Sequence, residues 1–370
     1  MNTTGARVWL LMSVTLFLCV YPVAAWSDSS YSKNNPCGTG LPDKPSPDDS
    51  ISDLDQLNDN ETLRLGAFNI QIFGKSKAAK PEVMEVLGKI IRTYDIVAIQ
   101  EIRDKSQTAL PALVGVVNAN SSAPYDYVVS ERLGRTSSKE QYAYIYNNQT
   151  VRLTGTPHTY PEPDDTDPFH REPYIASFRV LDGNFDATLL TIHTDPDEAT
   201  EEINALDDAV RYAQSTYPDE RDFIVMGDLN ADCSYFDEDS NSTMHGSGYY
   251  WCINNSVDTT TKPTDCTYDR IILTNPAVPD FTGDVDVFRF DLEYALNVSE
   301  TTAVSDHYPV YAEFWCDRDA DPDKAPEVIG AVIALRIAVG RCEYDPELDL
   351  NGDGRVTSLD ALMIMQAAAV

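Results

Sequence analysis

The chain has 370 residues, 42% hydrophobic and 24% charged, which is typical of a globular protein with room for one large domain and a small one. Its 27 Lys and Arg residues against 60 Asp and Glu residues give a formal net charge of −33, which excludes a protein that holds nucleic acid by overall positive charge. A phosphate-bearing substrate would therefore have to meet bound cations or a local basic patch. The charge alone favours the simpler alternative of solubility or salt tolerance.

The N-terminus has the pattern of a targeting segment. Arg7 precedes an apolar run from Val8 to Val20, and small residues end at Ala25. The run is short for a membrane span, so it predicts a secretory signal peptide over residues 1–25 and no membrane span in the mature chain; a retained anchor is the alternative. Of the seven cysteines, only Cys19 lies in this run, and the six that remain indicate disulfides.

The remaining chain divides by composition. Residues 26–60 form a polar linker, and residues 317–326 (DRDADPDKAP) form a second one before a small helical module at 327–370. Between the linkers, residues 61–316 alternate short strands with a few helices. Strands are predicted at LRLGAFNIQIF, IVAIQ, QYAYIYN, ATLLTIH, FIVMGD, DRIIL and YPVYAEF, and helices at PEVMEVLGKIIRTY and EEINALDDAVRYAQ. This order predicts an α/β domain with two packed sheets and helices outside them.

Polar side chains recur where these strands meet their loops. The set is Asn69, Glu101, His193, Asp228, Asn230, Asp269, Asp306 and His307. Any one of them could be a solvated residue at a strand end, but their recurrence on six strands predicts a functional site. Amide and carboxylate oxygens suit a hard cation such as Mg²⁺, and two histidines beside carboxylates suit acid–base chemistry. Metal-assisted phosphodiester hydrolysis is the chemistry that these residues favour.

Several strings in this domain resemble one enzyme family. VVSERLGR, NADCSY and SDHYPV, in this order among the strands, resemble the deoxyribonuclease I branch of the endonuclease/exonuclease/phosphatase superfamily. The resemblance covers residues 63–314. It implies a four-layered α/β sandwich and a metal-dependent endonuclease that cleaves double-stranded DNA with little sequence specificity and leaves 5′-phosphate ends.

The resemblance also implies roles for individual residues. Glu140 would pair with His193, and Asp269 with His307, as the base and acid on either side of the scissile phosphate. The implied ligands of Mg²⁺ (or Mn²⁺) are Asn69, Glu101 and Asp306, while Asp228 and Asn230 would be ligands or phosphate contacts. Arg103 and Arg171 would contact DNA. Glu140 could equally be a surface acid, and the two arginines could be ordinary salt-bridge partners.

Calcium sites and a disulfide follow from the same resemblance. One structural Ca²⁺ site would use Asp258, Thr260, the Lys262 carbonyl and Thr264, and a second would use Asp167, the Phe169 carbonyl and Glu172. The family disulfide next to the second site is missing, because PEPDDTDPFH contains no cysteine. The other family disulfide corresponds to Cys233–Cys266. Gln71 and Ser138 replace a family arginine and tyrosine that contact DNA, which should weaken groove binding.

The C-terminal module carries a calcium-loop pattern. The string DLNGDGRVTSLD provides oxygen ligands from Asp349, Asn351, Asp353, the Arg355 carbonyl, Thr357 and Asp360. This EF-hand-like loop resembles a dockerin repeat, which predicts a cohesin or a cell-surface scaffold as a partner. Dockerins usually carry two such loops and only one is found, so a calcium-bound cap without a partner is the alternative.

Together these features predict a secreted, extracellular, monomeric deoxyribonuclease that requires Mg²⁺ (or Mn²⁺) and Ca²⁺, with its C-terminal module available for attachment to a cell surface. Two alternatives remain at the level of sequence. One is a phosphatase or sphingomyelinase-type phosphodiesterase of the same superfamily. The other is a non-catalytic, surface-anchored binding module.

Overall fold

The computed structural model describes residues 62–317, except residues 165 and 239, together with residues 334, 338 and 348–368. The predicted signal peptide, the first linker and nearly all of the second linker lie outside the described residues, as do Cys37 and Cys342. Within the described part of the chain, no helix is both long and apolar enough to cross a membrane.

The first sheet has six strands in the order β11-β12-β1-β2-β4-β3. β1 runs parallel to β2 and antiparallel to β12, so the first strand of the domain lies in the middle of the sheet. The strands are β1 Thr62–Phe73, β2 Ile96–Ile102, β3 Tyr125–Val129, β4 Gln141–Asn147, β11 Phe281–Val287 and β12 Val310–Trp315.

The second sheet also has six strands, in the order β5-β6-β7-β8-β10-β9. Its central pair, β7 and β8, is parallel, and β8 is antiparallel to β10. The strands are β5 Val151–Thr159, β6 Tyr174–Val180, β7 Asp186–His193, β8 Phe223–Asp228, β9 Tyr249–Trp251 and β10 Asp269–Thr274.

Seven helices are described. They are α1 Lys75–Ala78, α2 Pro81–Ile91, α3 Ala109–Ala119, α4 Ala199–Thr216, α5 Phe290–Glu293, α6 Val298–Val304 and α7 Ser358–Ala368. Two 3₁₀ turns, Thr243–His245 and Asn275–Asp280, are also described. α2 begins with Pro81, whose fixed φ suits the first turn of a helix and whose missing N–H has no helical partner there.

The alternation of side chains along β8 shows how the layers are built. Ile224 and Met226 belong to the large core that also contains residues of the first sheet. Phe223 and Val225 point to the other face and share a second core with α4. Because successive strand residues face opposite sides, this one apolar run serves both layers. The prediction of two packed sheets flanked by helices is confirmed, and both sheets are mixed.

The C-terminal residues have a small apolar cluster of their own. Val356, Ala361 and Ile364 pack with Ala334, and Leu348 lies against them. The calcium-loop prediction falls on the described residues 349–360, whereas most of its predicted partner helix lies outside them. The dockerin-like identity of this module stays a prediction.

Candidate active site

A bulge in β1 and another in β2 present the first two polar side chains. The pairing of these strands shifts between Asn69 and Phe73, and Gln71, Ile72 and Glu101 have φ values of 37°, 50° and 59°. Positive φ is rare for a β-branched residue and costs on the order of 1–3 kcal/mol. Side chains of the site stabilise this backbone: the Ile72 amide donates to Glu101 Oε2 at 2.8 Å, and the Gln71 amide donates to Asn69 Oδ1 at 2.9 Å.

Asn69 joins the two sheets. Its Nδ2 donates to Glu101 Oε1 at 3.2 Å within the first sheet and to Asp228 Oδ2 at 2.9 Å in the second. The Asn69 side chain is fully buried. The amide therefore fixes the distance between two carboxylates that belong to different sheets.

Strand register brings three polar residues side by side in the second sheet. His193 on β7 pairs with Asp228 on β8, and Asp269 on β10 pairs with the same Asp228. Gly227 allows the close approach of β7 and β8, because a Cβ at this position would lie 2.1 Å from the Ile192 carbonyl oxygen. The register and this glycine together explain why the run FIVMGD ends in the middle of the site.

Two carboxylate–imidazole pairs face each other across Asp228. Glu140 Oε2 lies 2.9 Å from His193 Nδ1, and Asp269 Oδ2 lies 2.7 Å from His307 Nδ1. The Nε2 atoms of both histidines lie 3.5 Å from the same oxygen, Asp228 Oδ2. Each imidazole is thus oriented through Nδ1, and both Nε2 atoms converge on one point.

The charges of the first pair reinforce each other. Burial raises the pKa of Glu140, but His193, Arg171 and Arg103 outweigh burial and lower the pKa to about 2. Burial also lowers the pKa of His193, but Glu140 and Asp228 raise it above the ordinary histidine value. The pair therefore favours a carboxylate beside a proton-bearing imidazole.

The second pair differs at its carboxylate, because burial outweighs the attraction of His307 and raises the pKa of Asp269 to about 6. Burial lowers the pKa of His307, but Asp269 and Asp228 raise it to about 10. Burial raises the pKa of Asp228, but the two imidazoles and the Asn69 amide lower it below the usual value. Asp228 is therefore an anion between the Nε2 atoms of two imidazoles, which is a suitable position for groups that exchange protons with a substrate.

Comparisons with known proteins agree with this geometry. Residues 66–307 match the model of the "Endonuclease/Exonuclease/phosphatase family". The chain is 38% identical to mouse deoxyribonuclease gamma over 69% of this chain and 85% of that protein, and 36% identical to human deoxyribonuclease-1 over 67% and 91%. A solved endonuclease/exonuclease/phosphatase from Bacteroides vulgatus has the same fold, with a TM-score of 0.50, 15% identity, and coverage of 69% of this chain and 99% of that one.

The chain belongs to the endonuclease/exonuclease/phosphatase family. Within this family it is a deoxyribonuclease I-like endonuclease.

The third predicted metal ligand of this deoxyribonuclease I-like enzyme, Asp306, follows Ser305, whose hydroxyl donates to the Asn69 carbonyl at 2.6 Å. Among the described residues, no hydrogen bond or ion pair joins Asp306 to Asn69 or Glu101. Asp306 Oδ2 instead lies 2.7 Å from Lys262 Nζ, while Asp306 Oδ1 is buried and has no hydrogen-bond partner among the described residues. A buried carboxylate oxygen without a partner, beside further oxygen donors, fits a hard divalent cation.

Arg171, Asn230 and Arg103 contact the backbone or carboxylates of other site residues. Arg171 is only 5% exposed, and its guanidinium donates to the carbonyls of His193 and Thr194. Asn230 Nδ2 donates to the same Thr194 carbonyl at 3.0 Å. Arg103 contacts Glu140 at 2.7 Å and Glu101 at 3.2 Å. Of the two arginines predicted to bind DNA, Arg103 is thus the one that the structure leaves partly exposed.

The residues of the first predicted calcium site come together in one loop. Asp258 Oδ1 accepts hydrogen bonds from the amide and hydroxyl of Thr260, each at 2.9 Å. The Thr260 hydroxyl also lies 2.7 Å from the Thr264 carbonyl. Cys266, which ends this loop, forms a disulfide with Cys233. The acidic Asp232 accepts from the Thr267 amide at 2.5 Å, which ties the two ends of the disulfide segment together.

The residues of the second predicted calcium site lie in an acidic group with other partners. Asp167 forms an ion pair with Arg135 at 2.9 Å, and Phe169 donates its amide to Glu162 at 3.0 Å. No hydrogen bond joins Asp167 to Phe169 or Glu172 among the described residues. Burial, and then the nearby charges of Glu172 and Asp167, raise the pKa of Glu162. Glu162 therefore joins this acidic group, a member that the sequence analysis missed.

In the C-terminal loop, the first and last carboxylates accept hydrogen bonds from backbone amides of the same loop. Asp349 accepts from the amides of Gly352, Asp353 and Gly354. Asp360 accepts from the Asn351 amide at 3.2 Å and the Thr357 amide at 2.9 Å. The first and last predicted ligands are thus oriented toward the interior of the loop.

The sequence analysis also missed Lys77, and it assigned only the backbone carbonyl of Lys262, not the side chain. Lys77 is buried and donates to the carbonyls of Ile70 and Val304 at 2.9 and 2.8 Å. Burial is the main cause that lowers its pKa to about 8, against the opposing charges of Asp306 and Glu101. Neither Lys77 nor Lys262 follows a strand, so the strand-end pattern could not find them.

Proposed function

We propose that this protein is a secreted, metal-dependent endonuclease that hydrolyses phosphodiester bonds of double-stranded DNA with little sequence specificity and leaves 5′-phosphate ends. The observation that carries the proposal is the placement of His193 Nε2 and His307 Nε2 at 3.5 Å from one oxygen of Asp228. Two oriented imidazoles that converge on one point suit the removal of one proton and the delivery of another on opposite sides of a phosphate.

The two imidazoles divide the proton transfers. One accepts a proton at Nε2 from the attacking water as the water oxygen bonds to phosphorus. The other donates its Nε2 proton to the leaving 3′ oxygen as the P–O3′ bond breaks, which gives a 3′-hydroxyl and a 5′-phosphate. Glu140 and Asp269 stabilise the imidazolium forms and hold each ring through Nδ1.

We assign Asn69, Glu101 and Asp306 as the residues that would hold Mg²⁺ (or Mn²⁺), with Asp228 and Asn230 as further ligands or phosphate contacts. The buried oxygen donors at this edge, including the unpartnered Asp306 Oδ1, support the assignment. A bound divalent cation supplies positive charge to the phosphate oxygens as negative charge develops there. Ca²⁺ is assigned to the loops at 258–264 and 349–360, and to the acidic group around Asp167.

Substrate contact and location complete the proposal. Arg103 lies at the partly exposed edge of the site, where a positive side chain can meet the DNA backbone. The N-terminal pattern supports secretion, the protein is proposed to act as a monomer, and the C-terminal loop supports attachment through a cohesin or another cell-surface scaffold. DNA contacts made mainly with phosphates carry little sequence information, in agreement with a nonspecific nuclease.

Nicking of a supercoiled plasmid tests the function. The intact protein should nick in Mg²⁺ with Ca²⁺ and not in EDTA, and DNA ligase should reseal the nicks without a kinase, because the ends carry 5′-phosphates. His193→Ala should lose at least ~10²-fold in rate, as expected for a general acid–base residue. His245→Ala, which changes an exposed histidine outside the site, is the matched control.

Two outcomes would contradict the proposal. Absence of nicking by the intact protein in Mg²⁺ and Ca²⁺, with hydrolysis of sphingomyelin or a small phosphomonoester, would favour the phosphatase or sphingomyelinase-type alternative. Equal nicking by His193→Ala and His245→Ala would contradict the assigned mechanism, even if DNA remained the substrate.

A further inference from the structure

Lys262 lies in the loop that the sequence analysis assigned to calcium, yet its side chain leaves that loop. Its Nζ lies 2.7 Å from Asp306 Oδ2, and the side chain of Lys262 is 56% exposed while that of Asp306 is 14% exposed. The predicted calcium site needs only the Lys262 carbonyl. The ammonium is therefore available to a different site, the catalytic edge that contains Asp306 and His307.

The backbone around Lys262 is attached directly to the catalytic segment. The Thr261 amide donates to the Asp306 carbonyl at 2.9 Å, and the Tyr308 amide donates to the Thr259 carbonyl at 2.8 Å. Thr260 also forms an isolated antiparallel bridge with His307. Pro263 follows Lys262 and restricts its backbone to extended conformations. The position of the ammonium is thus set by the fold as well as by its attraction to Asp306.

The other cationic side chains near the site are either buried or in contact with two carboxylates, unlike Lys262. Lys77 is buried and directed to two backbone carbonyls. Arg171 is buried against strand-end carbonyls, and the Nη2 of Arg103 contacts both Glu101 and Glu140. Lys262 contacts one carboxylate and remains half exposed, so it combines a fixed position with access from solvent.

The two oxygens of Asp306 have different surroundings, and His307 Nε2 lies 3.9 Å from Oδ1, beyond hydrogen-bond distance. Oδ2 contacts the Lys262 ammonium, and Oδ1 is buried without a hydrogen-bond partner among the described residues. A divalent cation that binds Oδ1 would therefore lie close to a second positive charge on the same carboxylate. Like charges at such distances repel, so the ammonium weakens metal binding, while both charges attract a phosphate.

We infer that Lys262 is a built-in cation of the active site, which lowers the affinity of Asp306 for a divalent metal and contributes a contact to a DNA phosphate. The DNA part of this inference rests on the proposed function. The Lys262 ammonium would also provide a local positive charge where a polyanion would bind, on a chain whose net charge is −33.

Metal binding is measured first and does not depend on nuclease activity. Mn²⁺ is titrated by calorimetry into protein whose other sites are saturated with Ca²⁺, and the Mn²⁺ site that Asp306→Asn abolishes is taken as the relevant one. Lys262→Met should bind Mn²⁺ there more tightly by up to about fivefold, the effect of removing a partly exposed ion pair. Lys262→Arg should retain the original affinity.

DNA binding is measured on His193→Ala protein, so that cleavage does not interfere. The plot of log affinity against log salt concentration should become less steep by about 0.9 for Lys262→Met, the value for one lost phosphate contact. Lys89→Met is the matched control, because it removes one lysine charge from a surface pair with Glu85 on α2. Circular dichroism of each variant verifies the fold.

Unchanged Mn²⁺ affinity in Lys262→Met would overturn the inference about Asp306. A salt slope for Lys262→Met equal to that of Lys89→Met would overturn the phosphate contact. If the intact protein neither binds nor cleaves DNA while Lys262→Met still tightens Mn²⁺ binding, the proposed substrate is wrong and the ammonium–metal coupling stands.

Discussion

Asn69 on β1 donates a hydrogen bond of 2.9 Å to Asp228 on β8, and this contact connects the two sheets at the centre of the site. The same amide nitrogen lies 3.2 Å from Glu101 on β2. Metal ligands assigned to the first sheet are therefore aligned by a single buried side chain with Asp228 of the second sheet, the carboxylate that both catalytic imidazoles approach. The geometry of catalysis depends on how the two sheets pack.

Replacing this amide should affect both stability and catalysis. Asn69→Ala leaves two buried carboxylates without their shared donor, which should lower the free energy of unfolding by about 1–3 kcal/mol. Misalignment of the two halves of the site should lower kcat/KM by ~10²-fold or more. Denaturant unfolding and plasmid nicking measure the two effects.

Asn118→Ala is the control for this variant. Asn118 exchanges side-chain hydrogen bonds with the Tyr125 backbone, away from the site, so its loss should reduce stability with nicking retained. If both variants lost nicking activity to the same extent, the alignment role of Asn69 would be refuted.

The charge of Glu140 should matter more than its hydrogen bond. Glu140→Gln preserves the size of the side chain but removes the negative charge that faces His193, Arg103 and Arg171. The nicking rate should fall by ~10²–10⁴-fold, the range observed when the acid that orients a catalytic histidine is neutralised. Glu131→Gln is the control and should retain activity, because Glu131 is an exposed acid that accepts a hydrogen bond from Thr159. A fully active Glu140→Gln variant would exclude the Glu140–His193 pair from catalysis.

Much of this site could be predicted because its residues follow strands. His193 and Asp228 were predicted at the ends of two strands, and because these strands, β7 and β8, run parallel, their ends lie side by side at one edge of the sheet. The bulges were not, because nothing in the string NIQIF indicates positive φ at Gln71 and Ile72. The contact between Lys262 and Asp306 could not be predicted either, because it joins two loops that are distant in sequence and meet only in the folded chain.

The strands that sequence patterns missed share a physical property. Four of the five, β3, β5, β9 and β11, are the edges of the two sheets. Each lacks the continuous burial of a central strand, as in β9, where all three residues are only partly buried. Edge strands are short or alternate with exposed polar residues, so their apolar runs are too weak to recognise. The fifth, β6, is interrupted by Ser177 and Arg179.

Glu202 should make stability depend on pH. This fully buried carboxyl accepts from the amides of His170 and Asp195, and burial, the largest cause, raises its pKa to about 7. A raised carboxyl pKa means that the folded state binds the proton more tightly than the unfolded state does. The corresponding stabilisation is complete below the unfolded pKa of about 4.3 and is lost as pH rises through about 7.

Glu202→Gln should therefore remove this part of the pH dependence. Between pH 5 and 8 the wild-type protein should lose up to about 3 kcal/mol more stability than Glu202→Gln does. Glu201→Gln, an exposed neighbour on α4 with the same change in net charge, should follow the wild-type curve. Unfolding by urea at several pH values measures the difference, and parallel curves for all three proteins would contradict the prediction.

The disulfide should stabilise the loop that carries Lys262. Cys233 and Cys266 are 33 residues apart, so the bond restricts a loop of this length in the unfolded chain. The Cys233→Ser/Cys266→Ser variant should lose about 3–4 kcal/mol, from the entropy of loop closure. Reductant should lower the Tm of the wild-type protein toward that of the variant and leave the variant unchanged. A variant as stable as the oxidised wild type would show that the bond does not constrain this loop.

The C-terminal loop should bind one calcium ion. Asp360 is fully buried, accepts from two loop amides and occupies the last ligand position, so Asp360→Ala should abolish binding at this loop. Calorimetry of the full chain should then show one Ca²⁺ fewer per molecule than the wild type. Arg355→Ala should keep the wild-type number, because this position contributes only its backbone carbonyl. Equal stoichiometry in the wild type and Asp360→Ala would leave the loop as an acidic turn that its own backbone amides stabilise.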